Sequence, residues 1–127
     1  MTLSQILFSF KGRINRAKYW LIQLLAHVTI LSLFILGLST VESSNEPLIG
    51  SDTDVGRVVI FILFSIIFTW INLAIQIKRW HDRDRSGWWI FIQLIPLIGA
   101  IWAFVELGCL RGTYGRNRFG PDPLERS

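Results

Sequence analysis

The sequence predicts an all-α integral membrane protein, and three observations carry that reading. Of its 127 residues 51% are hydrophobic and 17% charged, with a mean hydropathy of +0.44, more apolar surface than so small a domain can bury. The apolar residues gather in three runs, each about as long as the 20 residues a helix needs to cross a bilayer. The basic residues stand beside those runs rather than within them, the pattern of juxtamembrane charge. Three such runs consume roughly half the chain, which leaves one membrane domain, residues 1–127, and no room for a large catalytic domain.

Taken in order, residues 1–18 place Leu3, Ile6, Leu7, Phe10 and Ile14 three or four apart, the spacing of a short amphipathic helix. With Lys11, Arg13, Arg16 and Lys18 beside it, that helix suits the headgroup plane of an anionic leaflet, or it packs on the protein's own helices. Residues 19–38 are apolar apart from Gln23, His27 and scattered hydroxyls, and at 1.5 Å per residue they reach about 30 Å. This first span reads as a retained anchor, because eighteen residues precede an apolar run too long for a signal peptide. Residues 39–57 form an acidic outer loop with Glu42, Glu46, Asp52 and Asp54, and with Pro47, Gly50 and Gly56 as helix breakers. Residues 58–77 are the second span, and residues 78–86 a charged turn in which Ser86 is a candidate cap for the third apolar segment. That segment, residues 87–110, is broken by Pro96 and Gly99. A third crossing is the expectation here, with a re-entrant hairpin as the alternative. Residues 111–127 are a tail rich in Gly, Pro and Arg, in which Gly112, Gly115 and Gly120 favour turns.

Thirteen Lys and Arg against nine Asp and Glu give a net charge of +4. Their position beside apolar runs points to anionic lipid, not nucleic acid, as the counter-charge. Four cations before the first span, against Arg57 alone in the following loop, place the N-terminus in the cytoplasm. A third crossing then puts Arg111, Arg116, Arg118 and Arg126 outside, against the rule, whereas a hairpin brings them back. Glu106 lies in the apolar zone and requires a cation. With three crossings its expected partner is Arg57; with a hairpin it is Lys78, Arg79 or Arg16.

Gln23, His27, Asn72, Gln76 and Gln93 all fall in the cytoplasmic half of their segments and are expected to form an interhelical polar seam, each bond worth about 0.6 kcal/mol. A proton or ion path through His27 is the functional counterpart of that seam. Tyr19, Trp20, Trp80, Trp88 and Trp89 gather at the same boundary as an anchoring belt. The chain offers no catalytic elbow, no phosphate loop, no cofactor motif and no set of metal ligands. Its single cysteine, Cys109, reads as a buried, inert thiol.

A recurring set of motifs resembles a known family. Gly12-Arg13, Arg16 and Tyr19-Trp20 form the first element, and Arg79, His81-Asp82 and Ser86-Gly87-Trp88-Trp89 the second. Ile95-Pro96-Leu97-Ile98-Gly99 comes next, and Gly112-Thr113, Gly115, Asn117-Arg118-Phe119-Gly120-Pro121-Asp122-Pro123 completes the set. Together they are similar to the bacterial inner-membrane proteins grouped as domain of unknown function 805, across nearly the whole chain. Trp80 and Asp84-Arg85 depart from the usual pattern. The resemblance implies a small inner-membrane protein and supplies no activity, cofactor or catalytic residue.

Independently of that resemblance, Arg13, Arg16, Arg79, His81 and Asp82 are expected to form one ion-pair cluster under the cytoplasmic face, joined by Asn117, Arg118 and Asp122 if the tail returns. The sequence thus reads as a non-enzyme, an accessory or scaffold subunit that binds membrane-protein partners or anionic lipid. An oligomeric channel or transporter built on the polar seam is the alternative. A lipid-headgroup enzyme rests on His81 and Asp82 alone.

Overall fold

The computed structural model describes residues 1–42 and 52–124. Its first helix, α1, spans Leu3–Phe8 and is opened by a reciprocal cap: Gln5 N–H donates to the Thr2 hydroxyl, and Thr2 N–H donates to Gln5 Oε1. The chain then runs extended through Gly12, whose φ of 94° only glycine adopts freely. Asn15 caps the next helix by accepting from Lys18 N–H at 2.9 Å.

Two long helices come next, α2 over Arg16–Glu42 and α3 over Asp52–Asp82. Both are long and apolar enough to cross a membrane. They outrun the expected spans at both ends, so Gly56 and Arg57 lie inside α3 rather than in the loop. A lone glycine is tolerated where the flanking residues, Val55 and Val58 to Ile60, are apolar and no neighbour crowds it. Glu46, Pro47 and Gly50 of the acidic loop lie outside the described residues. Hydroxyls within the spans are satisfied locally, with Thr29, Ser32, Ser65 and Thr69 each donating to the carbonyl four residues earlier at 2.8 Å.

The third apolar segment does not form one crossing helix. It is a hairpin: a 3₁₀ helix over Gly87–Leu94, a tight reversal at residues 95–97, then α4 over Ile98–Ala103 running on into a π-helical turn over Phe104–Cys109. Pro96 cannot continue a helix, and Leu97 takes φ 62° and ψ −61° so that Ile98 N–H reaches the Pro96 carbonyl at 2.7 Å, a strained three-residue turn. Gly99 completes the reversal, because a Cβ there would fall on the Ile92 carbonyl of the other arm. The break that the sequence placed at Pro96 and Gly99 is therefore a fold-back, and residues 110–124 return to the end of the molecule that holds residues 10–20.

That end, the head, contains the packed core of Ile14, Tyr19, Ile75, Trp80, Ala103 and Leu107, with Ile22, Ile71, Trp89, Ile90 and Ile92 against it. Away from it, α2 and α3 present apolar side chains outward along their length.

Candidate functional site

The charged residues of the head converge on Asp82, at the last turn of α3. Its two carboxylate oxygens receive two buried arginines, Arg13 at 3.0 Å and Arg79 from one helical turn earlier. Arg13 uses all five of its N–H donors. One reaches Asp82, and the others reach the carbonyls of Thr113, Gly115 and Gly120 and the Thr113 hydroxyl, at 2.7–3.3 Å. Arg79 donates to the carbonyls of Leu107, Leu110 and Ile14. One arginine thus grips the tail and the other grips the returning arm, while the single carboxylate of Asp82 is shared between them.

The tail is shaped to meet them. Thr113 N–H and hydroxyl both donate to the Asp82 carbonyl, at 2.8 and 3.1 Å, and Gly112 lies so close that a Cβ would collide with the Asp82 carboxylate. Asn117 donates to the His81 carbonyl at 2.8 Å and exchanges backbone bonds with Gly120, whose φ of 136° closes the turn. Phe119, inside that turn, stacks on the His81 ring at 3.9 Å, and His81 Nδ1 lies 3.2 Å from the Gly12 carbonyl. Asp122 accepts from Leu124 N–H and Gly115 N–H. The Leu124 bond above all holds its carboxyl below the usual carboxylate range; burial opposes it, and Gly115, Arg13 and Arg111 add to the lowering.

Of the five residues expected to cluster, Arg13, Arg79 and Asp82 are joined directly, and His81 joins through backbone. Arg16 takes a different place: it donates to the Cys109 carbonyl at 2.8 Å, clamping the end of the π-helical turn. Asn117 and Asp122 enter with the tail, and Arg118 pairs with Asp84 at 3.2 Å.

Other expectations are corrected. Glu106 pairs with Arg83 at 2.9 Å, not with Lys78, Arg79 or Arg16 as expected for a hairpin, nor with Arg57, which stands 26 residues earlier and about 39 Å up the helix axis. The fold-back carries Glu106 to the head, where Arg83 also donates to the Arg111 carbonyl. In the polar seam, Gln93 donates to Gln76 at 2.5 Å and ties the hairpin to α3, but His27 bonds the Gln23 carbonyl and Asn72 the Phe68 carbonyl of their own helices. Gln23 is buried with its Oε1 unpartnered. Tyr19 and Trp80 belong to the core rather than the belt, since the returning arm covers them, whereas Trp20 and Trp88 are exposed. Ser86 precedes the 3₁₀ helix without a side-chain cap bond, and Cys109 is exposed.

Two contacts gave no warning in the sequence. Lys78 is fully buried and donates to the Gln5 and Ile6 carbonyls, the unsatisfied C-terminal end of α1. Trp20 Nε1 donates to the Gly108 carbonyl at 3.1 Å, its ring lying where a Gly108 side chain would be. The fold-back brings the Gly108 carbonyl to Trp20, whereas Lys78 meets its acceptors because α1 packs against α3. Among the described residues no group of His, Cys, Asp and Glu is placed to hold a metal ion.

Comparison with known proteins finds relatives along most of the chain. The inner membrane protein YhaH of Escherichia coli is 38% identical over 114 residues, covering 90% of this chain and 86% of that protein. The inner membrane protein YhaI of the same organism is 34% identical over 119 residues, covering 90% and 85%. The uncharacterized protein YiiR of E. coli is 31% identical over 146 positions, covering 96% and 90%. No solved structure matches the chain. The family described as protein of unknown function (DUF805) matches residues 7–121, from the end of α1 to the tail turn, and the chain is a member of that family of membrane proteins.

Proposed function

We propose that the chain is an accessory or scaffold subunit of the bacterial inner membrane, with its N-terminus in the cytoplasm, that engages a membrane-protein partner or anionic lipid and catalyses no reaction. One observation carries this: the groups that look chemically capable are spent on holding the head together. Arg13 and Arg79 have their donors committed, Asp82 is shared between them, and His81 is stacked and bonded to backbone. Among the described residues of the head, those that are charged and exposed are all basic, namely Lys11, Arg16, Lys18, Arg85, Arg111, Arg116 and Arg118, the charge that attracts an anionic leaflet.

The orientation has the same support. Among the described residues, Lys11, Arg13, Arg16, Lys18, Lys78, Arg79, Arg83, Arg85, Arg111, Arg116 and Arg118 lie at the head, and Arg57 alone at the other end. The fold-back removes the conflict that a third crossing creates with the positive-inside rule. The channel alternative has less behind it, because only Gln76 and Gln93 of the seam bond between segments.

Native mass spectrometry of the chain, released in mild detergent from its own membrane, tests the proposal. A stoichiometric foreign subunit or retained anionic phospholipid is expected. A bare homo-oligomer that conducts ions on reconstitution, with flux lost in His27→Ala, would replace it with the channel.

A further inference from the structure

The hairpin enters the apolar layer from the head side and does not cross it. Its first arm, eight residues of 3₁₀ helix, rises about 16 Å at 2 Å per residue, close to half of a hydrocarbon core about 30 Å thick. The reversal at residues 95–97 therefore reaches no deeper than about the midplane. Its contacts with the spanning helices lie near the head: Gly87 against Ile77, Gln93 on Gln76, Trp20 against Phe104 at 5.7 Å and on Gly108. The tip is wholly apolar, and Leu94, Leu97 and Ile98 are 64–76% exposed. Within the hairpin the amides of Ile95, Ile98, Gly99 and Ile101 bond to carbonyls, and Pro96 has no amide to satisfy. On the head side α1 is also drawn against α3, Phe10 lying 5.0 Å from Trp70 and Lys78 holding the α1 carbonyls.

We infer that the chain is a one-sided membrane wedge, whose ligand is a curved lipid surface convex on the head side. Two helices occupy the far leaflet; the near leaflet holds the same two helices and both hairpin arms. With each rod about 10 Å across, the cross-section in the near leaflet is about twice that in the far one. An inclusion of that shape expands one leaflet against the other, and its insertion is favoured where the membrane already bends toward the wider end, the curvature dependence known for elements that fill one leaflet only. The inference rests on the membrane-embedded part of the proposed function. It does not depend on which face is cytoplasmic, nor on anionic lipid or a partner subunit.

The test uses the full chain, labelled at its N-terminus, in giant vesicles of zwitterionic phosphatidylcholine from which narrow tubes are pulled. A membrane-impermeant quencher reports which way each population faces. Molecules with the head outward are expected to be enriched roughly twofold or more in the tube over the flat parent, and those with the head inward depleted by a similar factor. Equal densities in tube and parent, or the same sign for both orientations, would overturn the wedge. So would efficient crosslinking of two copies through Leu97→Cys in a Cys109→Ser background, because a second chain rather than lipid would then cover the hairpin. Neutral lipid keeps the outcome separate from the anionic-lipid proposal, which can fail while the sorting persists.

Discussion

The two ends of α3 illustrate two ways of specifying structure. Near Asp82, each buried charge has a named partner, and three separate pieces of chain meet at one residue, two at its carboxylate and the tail at its main-chain carbonyl. Around Phe61 and Phe64, 45–46% of each side chain remains exposed, and α2 and α3 bound a shallow apolar cleft of about 490 Å³ with Leu33 and Phe34 on its other wall. The head depends on individual atoms, since stranding one partner of a buried ion pair is expensive. The far half depends on hydropathy, since lipid tails accept any apolar side chain of similar size.

The sharpest way to break that contrast is to substitute both regions alike. Asp82→Asn leaves Arg13 and Arg79 buried without an anion and is expected to cost about 3–5 kcal/mol, seen as a large fall in the detergent unfolding midpoint followed by tryptophan fluorescence. Phe64→Leu is expected to change the same midpoint by less than about 0.5 kcal/mol, the size of a neutral surface substitution. Comparable losses would show that the far half is packed against something specific. Next in size is Gly99→Ala. A methyl group there must displace the Ile92 carbonyl and part the two arms of the hairpin, with an expected cost of about 1–3 kcal/mol. Hydrogen exchange would register it as lost protection at Ile95 and Ile101.

The elements of this fold were legible in the sequence to unequal degrees, and the reason is physical. Hydropathy marked both crossing helices, because lipid imposes a long apolar run on any helix that spans it. It could not tell a third crossing from a hairpin, since both bury the same apolar composition. Pro96 and Gly99 located the break, and the charge balance of the tail counted against a third crossing, yet a third crossing is the expectation from sequence and the structure overturns it. The clasp was half visible. Arg13, Arg79 and Asp82 stood out as charges beside lipid, but their main partners are the carbonyls of Leu107, Leu110, Thr113, Gly115 and Gly120. Backbone acceptors carry no side-chain signature. Glu106 announced its need for a cation, but the path of the chain gave it Arg83, neither the Arg57 expected for a crossing nor the Lys78, Arg79 or Arg16 expected for a hairpin.

That decision can be checked by exchange of charge. Arg83 and Glu106 are partly open to solvent, so Glu106→Gln is expected to cost no more than about 1 kcal/mol. The double variant Glu106→Arg with Arg83→Glu should recover most of the loss, whereas Glu106→Arg with Arg57→Glu should not. Recovery with Arg57 instead would return the third segment to a full crossing.

The smallest expected effect lies at the rim of the head and is produced by acid. Asp122 holds the amides of Leu124 and Gly115 only while ionised, and those bonds depress its carboxyl below the ordinary range. A depressed folded-state value means that its contribution is complete above the unfolded value, near 3.9, and drains away as pH falls through the lower folded value. Exchange protection at Gly115 and Leu124 should therefore be constant from neutral pH down to about 4 and fall below it. Asp122→Asn should abolish that pH dependence while leaving the Asp82 clasp intact, because Arg13 reaches the tail through the carbonyls of Thr113, Gly115 and Gly120. If protection across the whole head collapsed with Asp122, rim and clasp would be one cooperative unit, and the contrast between a specified head and a permissive far half would extend to every charge in the tail.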